Sequence, residues 1–350
     1  MLRYPKIAII VLIGLLAITM VLAIAWGAVP ISLHEMYESV LLVIQNKSLN
    51  NIHEAVFLDI RLPRVLLCAI TGGILAAAGV MMQGLFRNPI VEPGLIGTSA
   101  GAAFGASFIF VLSGTLPLWM QHLSGVFLVP LFAFIGSIIA TVLVYTLARS
   151  AFKVSVTNLL LIGIAINAIA LSGTGFLSFI SRDPQARSIT FWNLGSFSGA
   201  SWWQVIIVAI VTVPVMYLLQ RCTNQLNALM LGDKEAGFLG VQTERLKWQI
   251  LLLNTAMVAI ATAFVGVIAF VGLIVPHIMR LWVGGNNRVL LPSAFLCGAI
   301  LLTIADMAAR LLIAPGEIPI GIITSLVGAP VFIILLKQTQ LLQKGGSGYD

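Results

Sequence analysis

The chain has 350 residues, of which 59% are hydrophobic and only 9% charged, with a mean hydropathy of +1.06. Soluble domains average about 25% charged residues, so too little polar surface exists here to coat a water-soluble globule, and long Leu, Ile, Val and Ala runs without alternation argue against barrel strands. The net charge of +7 comes without a basic run or aromatic-basic interleaving, which argues against nucleic acid as a partner and leaves an all-α, polytopic membrane protein.

Crossing a ~30 Å hydrocarbon core takes roughly 20 apolar residues. Apolar windows of that kind predict ten spans, at about 7–27, 64–84, 94–112, 124–147, 156–180, 203–220, 247–264, 266–283, 289–312 and 318–337. Arg3 and Lys6 precede the first, which ends in Ala23-Ile-Ala25, a plausible leader cleavage site. Its apolar stretch exceeds the 7–15 residues of a leader core, which favours a retained helix. Arg61 and Arg64 open the second span, and Asn88-Pro89 with Pro93-Gly94 ends it and turns the chain. Proline there stiffens the backbone, and Asn88 can satisfy backbone groups at the mouth of a pore.

Between the fifth and sixth spans, Phe191-Trp192-Asn193 and Trp202-Trp203 read either as interfacial anchors or as contacts to a flat aromatic cargo. After the sixth, Leu226, Leu229 and Met230 make one apolar face, Gly232-Asp233 breaks the helix and Gly240 can end the next. Two short surface helices are expected across 221–246, forming either a knob for a partner's groove or a loop tucked against the bundle. The eighth span, with Gly266, Gly272 and Pro276, is expected to be broken or partial. His277 beside Pro276 reads as capping or packing rather than as an iron ligand. Gly79-Val80 and Gly266-Val267 form a faint internal echo, compatible with a duplicated bundle. The longest polar stretches, about 28–63, 181–202 and 221–246, read as loops each too short to fold alone, and the Gly-Gly-Ser-Gly tail is flexible by composition.

With both termini in the cytoplasm, Arg3, Lys6, Arg87, Arg149, Lys153, Arg221, Lys234, Arg245, Lys247, Arg280, Arg288, Lys337 and Lys344 fall inside, which is 13 of the 19 basic residues. Lys47, Arg61, Arg64, Arg182, Arg187 and Arg310 fall outside. That asymmetry is the positive-inside pattern. Arg61, Arg64 and Arg310 sit where the pattern disfavours them, ready to grip acids of an extracytoplasmic partner, to bind an anionic substrate, or to pair internally with Asp59, Asp306 and Glu317.

No Gly-Lys dipeptide occurs, so the phosphate-cradling loop of P-loop ATPases is missing. His34-Glu35 and His53-Glu54 begin like zinc-protease motifs, but positions 38 and 57 are Glu and Phe. Cys68, Cys222 and Cys297 lack metal or disulfide spacing. No catalytic residue, metal site or cofactor is expected. Asp306 is the one acid clearly inside a span, which argues against a self-contained ion-driven carrier. Energy for uphill transport then has to come from a separate motor on the inner face.

Arg61-Leu-Pro-Arg64, Gly79 through Gly94, Gly232 to Val241, Gly266 through Arg280 continuing to Pro292, and Pro319-Ile-Gly321 with Gly328-Ala-Pro330 together resemble the FecCD-type permeases. These are membrane subunits of bacterial ABC importers for ferric siderophores, haem and cobalamin. The likeness runs from about 55 to 337 within a single transmembrane domain, which has its first span at 7–27, a coupling loop at 221–246 and a tail at 338–350. It implies a type II importer permease fold in the bacterial inner membrane, paired as a homodimer, with two ATP-binding cassette subunits and a periplasmic substrate-binding protein. It also implies docking of that protein at Arg61, Arg64 and Arg310, and a cytoplasmic gate at Asn88, Ile90 and Ser155. ATPase coupling falls to Leu229, Gly232, Asp233, Glu235, Ala236, Leu239 and Gly240, and the pore lining to the second, third, fifth, eighth and tenth spans. The implied cargo is an iron complex, haem or a ferric siderophore, with cobalamin as the alternative.

Overall fold

The structure, a computed structural model, describes residues 5–27, 29–45, 52–113, 117, 124–150 and 153–346. Arg3 and Lys47 lie outside the described residues, as do 347–350 of the expected tail. The described chain is a helical bundle: α1 (Pro5–Ala25), α2 (Leu33–Ile44), α3 (Leu62–Phe86), α4 (Thr98–Ser113), α5 (Val129–Ala148), α6 (Val156–Ile180), α7 (Gln185–Asn193), α8 (Trp202–Leu229), α9 (Asp233–Phe238), α10 (Thr243–Val265), α11 (Val271–Val283), α12 (Asn287–Leu311) and α13 (Ile320–Gly346). A π-helical turn, Val56–Arg61, leads into α3, and a two-residue hairpin pairs Arg149–Ser150 with Lys153–Val154.

Every expected span has its helix. Among the described residues, seven apolar helical stretches are long enough to cross a membrane, while α4, α11 and the apolar part of α13 are shorter. The eighth span is partial as expected. Gly266 caps α10 with φ +77°, residues 267–270 are not helical, and Phe270, itself left-handed at φ +69°, is the N-cap of the 13-residue α11.

Helix α3 is the buried axis, with α12, α11, α10 and α8 packed around it. Close approach there depends on glycine: a Cβ on Gly72 would lie 2.3 Å from the Gly298 carbonyl oxygen, and one on Gly79 1.8 Å from that of Gly272. Small residues at such crossings let helices gain packing contacts that lipid cannot supply. Helix α1 packs along α12. Helix α6 sits at the margin, with Leu161, Ile164, Ile169, Phe176 and Phe179 all exposed.

Four expectations need correction. Residues 221–229 do not form a separate surface helix. Helix α8 runs unbroken to Leu229, because no Gly or Pro follows Pro214 until Gly232, so the loop holds one short helix, α9, rather than two. The stretches 28–63 and 181–202 are not simply polar loops, since they contain α2 and α7. Helix α13 continues to Gly346, past the expected tail boundary, because no Gly or Pro interrupts residues 331–344. The echo does not mark equivalent positions, because Gly79 lies within a helix while Gly266 ends one.

Candidate functional site

At one end of the bundle, α8, α9 and α10 build a projecting corner. Gly232, at φ +141°, lets the chain reverse after α8, and its carbonyl accepts the Ala236 N–H at 3.0 Å. Gly240, at φ +80°, turns the chain again, and Val241 N–H bonds back to the Ala236 carbonyl at 3.0 Å. Such left-handed geometry suits glycine. Of the expected coupling residues, Leu229, Gly232 and Ala236 are buried and pack within the corner itself. Asp233, Glu235, Leu239 and Gly240 are exposed. The sequence reading missed Leu231 and Phe238, whose exposures of 68% and 90% make an apolar tip with Leu239.

The corner is stitched to its neighbours. Lys247 is buried, with its side chain 2% exposed, and its Nζ donates to Glu244 Oε1 at 2.9 Å, to Asp233 Oδ2 at 3.3 Å and to the Val154 carbonyl at 3.2 Å. The other Glu244 oxygen accepts from Val154 N–H at 2.8 Å. Arg87 lies 3.6 Å from Asp233. On the far side Asn227 clamps the start of α12, accepting from the backbone and side-chain nitrogens of Asn287 at 3.0 and 2.8 Å. Asn227 carries no positional signal in the sequence, because it follows the polar stretch Thr223-Asn224-Gln225 and is one polar residue among several.

The expected gate residues lie at this end. Asn88 Oδ1 accepts from Ile90 N–H at 3.0 Å, so the turn after α3 is closed on itself, and Ile90 is exposed. Ser155 caps α6 by accepting from Asn158 N–H at 3.4 Å. Two residues past Ile90, Glu92 accepts from Phe270 N–H at 2.9 Å and so holds the start of α11. A cleft of about 390 Å³ opens beside it, lined by Ser99, Asn167 and Asn193 among others. The Asn167 amide nitrogen donates to the Gly94 and Leu95 carbonyls, while its buried oxygen has no partner.

The opposite end holds the three arginines. Arg64 donates to Asp306 at 2.9 Å and to Glu317 at 2.8 Å. Arg310 donates to Asp306 at 3.1 Å and to the Ala23 carbonyl at 2.9 Å. Arg61 donates to the carbonyls of Ile24, Ala25 and Val29. Their guanidinium groups face inward and tie the end of α1 to α3 and α12. Of the three roles weighed from sequence, the geometry displays internal pairing, without Asp59 as a partner of the set. A cleft of about 620 Å³ lies at this end, lined by Phe110, Phe191, Trp192, Ser196, Ser198 and Glu317 among others. No group of residues able to hold a metal ion occurs among the described residues.

A family model described as the FecCD transport family matches residues 15–338. The chain is 40% identical to the hemin transport system permease protein HmuU of Yersinia pestis, over 96% of this chain and 97% of that one. It is 36% identical to the vitamin B12 import system permease protein BtuC of Vibrio cholerae, over 79% and 81%. A solved structure of a metal-chelate type ABC transporter in an inward-facing conformation superposes with a TM-score of 0.82 at 32% identity, covering 96% of this chain and all of that one.

Proposed function

The chain belongs to the FecCD transport family, and from that premise we propose that it is the permease of an ATP-driven importer carrying an iron chelate, haem or a ferric siderophore, into the cytoplasm. The observation that carries this reading is the α9 corner. Leu231, Phe238 and Leu239 are exposed at the polar end of a chain that has no phosphate-cradling loop of its own. An apolar tip there is a handle for a soluble partner, and the partner is the ATP-binding cassette subunit. Two permease copies and two such subunits make the working unit in the bacterial inner membrane, with both termini and the α9 end in the cytoplasm.

The extracytoplasmic binding protein docks at the end carrying Arg61, Arg64 and Arg310. Because these guanidinium groups already hold Asp306, Glu317 and main-chain carbonyls, a partner carboxylate reaches them only by competing with those acceptors. The aromatic-lined cleft at that end, with Phe191 and Trp192, supports a flat cargo such as haem. Asn88, Ile90 and Ser155 form the cytoplasmic gate, and nucleotide-driven closure of the motors rocks the helices around it.

Proteoliposomes holding the permease with its ATPase subunits and binding protein test this reading. Haem-loaded binding protein is expected to raise ATP hydrolysis and drive haem uptake, and vesicles lacking the ATPase subunits are expected to accumulate none. The cobalamin reading is supported by the likeness to vitamin B12 permeases. Stimulation by cobalamin with none by haem or a ferric siderophore would replace the first cargo with the second.

A further inference from the structure

Among the described residues, Arg87 and Phe270 are the non-glycine residues with left-handed backbone, at φ +52° and +69°. Such a conformation is strained for an L-residue and persists only where surrounding contacts hold it. Both residues terminate helices, and one short segment joins them. Arg87 ends α3 and reaches Asp233 at 3.6 Å, the first residue of α9. Five residues on, Glu92 accepts from Phe270 N–H, where α11 begins. The turn at Asn88 and Ile90 lies between these anchors.

A second line leaves the same aspartate. Asp233 bonds to Lys247, whose amine donates to the Val154 carbonyl, and Val154 precedes Ser155, the cap of α6. Glu244 closes this line by accepting from both Lys247 and Val154 N–H. The two lines differ in strength. Arg87 and Asp233 are each more than a third exposed, and exposed pairs contribute little. Lys247 is enclosed with three acceptors, and losing one partner of such a buried charge is strongly unfavourable.

We propose that Lys247 is a positioning residue for transport, one that converts displacement of α9 into displacement of the α6 cap, while Arg87 carries the same displacement to the 88–92 turn. The proposal rests on the reading of α9 as the motor's handle. Lys247 cannot itself be a motor contact, because its side chain is enclosed. Its effect is therefore on coupling between motor and gate rather than on motor capture, which separates it from a lysine that merely stabilises the loop.

The test uses the full transporter in proteoliposomes, with co-purification of the ATPase subunits, ATP hydrolysis and cargo uptake measured on one preparation. Lys247→Met is expected to retain the ATPase subunits and hydrolysis but to lower uptake per ATP about tenfold, within the range of ordinary coupling between sites. Lys247→Arg restores the bonds and is expected to restore the ratio. Arg87→Gln, at a half-exposed site that tolerates the change, is expected to lower the ratio only about twofold, in keeping with an exposed pair, and it decides the matter for the weaker line if Lys247→Met fails to assemble. Unchanged uptake per ATP in both Lys247→Met and Arg87→Gln overturns the proposal. Loss of subunit capture in Lys247→Arg also overturns it, by making Lys247 part of the docking scaffold. Failure of the unaltered permease to capture ATPase subunits would instead remove the functional reading beneath it.

Discussion

The acid at Asp306 is enclosed by two cations, Arg64 and Arg310, with Glu317 taking part of the charge of Arg64. Opposite charges so far from water are stable only together, because each alone would have to be solvated by its low-dielectric surroundings. Asp306→Ala therefore leaves Arg64 without its principal partner, and should lower stability by roughly 3–5 kcal/mol, measurable as a large drop in thermal midpoint in detergent. Asp306→Glu, which keeps the charge, should recover part of the loss. Much of this cluster was legible in the sequence, because an acid is conspicuous within an apolar span and arginines on the outer side break the charge pattern. Its geometry was not. Arg61 bonds to the carbonyls of Ile24, Ala25 and Val29, and main-chain acceptors leave no mark on residue identity. Glu92 escaped notice for a similar reason: its partner is a backbone N–H 178 residues away.

Elements were legible where apolar length alone defines them, and less so where a break or a cap does. Helix α2 was hidden in a stretch read as a loop, although Ser32 and Glu35 carry the spacing of a capping box. Ser32 N–H and Oγ both donate to Glu35 Oε2 at 2.7 Å, and Glu35 N–H donates back to Ser32 Oγ at 3.2 Å. These bonds, the backbone one first, with that to His53, hold the Glu35 carboxyl down to about 2 from an ordinary 4.5. A depressed acid contributes its stability above the ordinary value and loses it as pH falls through the folded one. Protection of the Ser32 amide, corrected for intrinsic exchange, should hold at pH 6 and decline from about 4.5 towards about 2; Glu35→Gln should show weaker protection at pH 6 and no such decline.

Packing between elements makes a separate demand at α3 and α11. Gly79→Ala would set a methyl 1.8 Å from the Gly272 carbonyl oxygen, with backbone on both sides and nothing flexible to yield. The helices must part, at an expected loss of about 1–3 kcal/mol typical of overpacking, seen as a lower unfolding temperature. Gly14→Ala, with nothing near the added methyl, should leave that temperature unchanged. The sequence displayed both glycines but not their pairing, because Gly79 and Gly272 are neighbours only once α3 and α11 cross.

At the scale of the whole molecule, two kinds of exposed apolar surface have to be told apart. Helix α6 presents Leu161, Ile164, Ile169 and Phe176 along a stretch long enough to cross a membrane, and lipid or a second copy can cover these side chains. Phe238, Leu231 and Leu239 lie beyond the spans, beside Asp233, Lys234 and Glu235, where lipid tails do not reach. On the proposed reading the cover of this tip is a partner in water, and a buried aromatic anchor typically contributes at least 2 kcal/mol to an interface. Phe238→Glu should then weaken capture of the ATPase subunits by roughly thirtyfold or more, the equivalent of that energy, while the isolated permease keeps its thermal stability because Phe238 packs against little of it. Ile169→Glu should do the reverse, leaving the corner intact while disturbing insertion or pairing of copies. Equal ATPase affinity in Phe238→Glu and the parent would mean that the motor grips elsewhere, and the α9 corner would no longer stand as the handle.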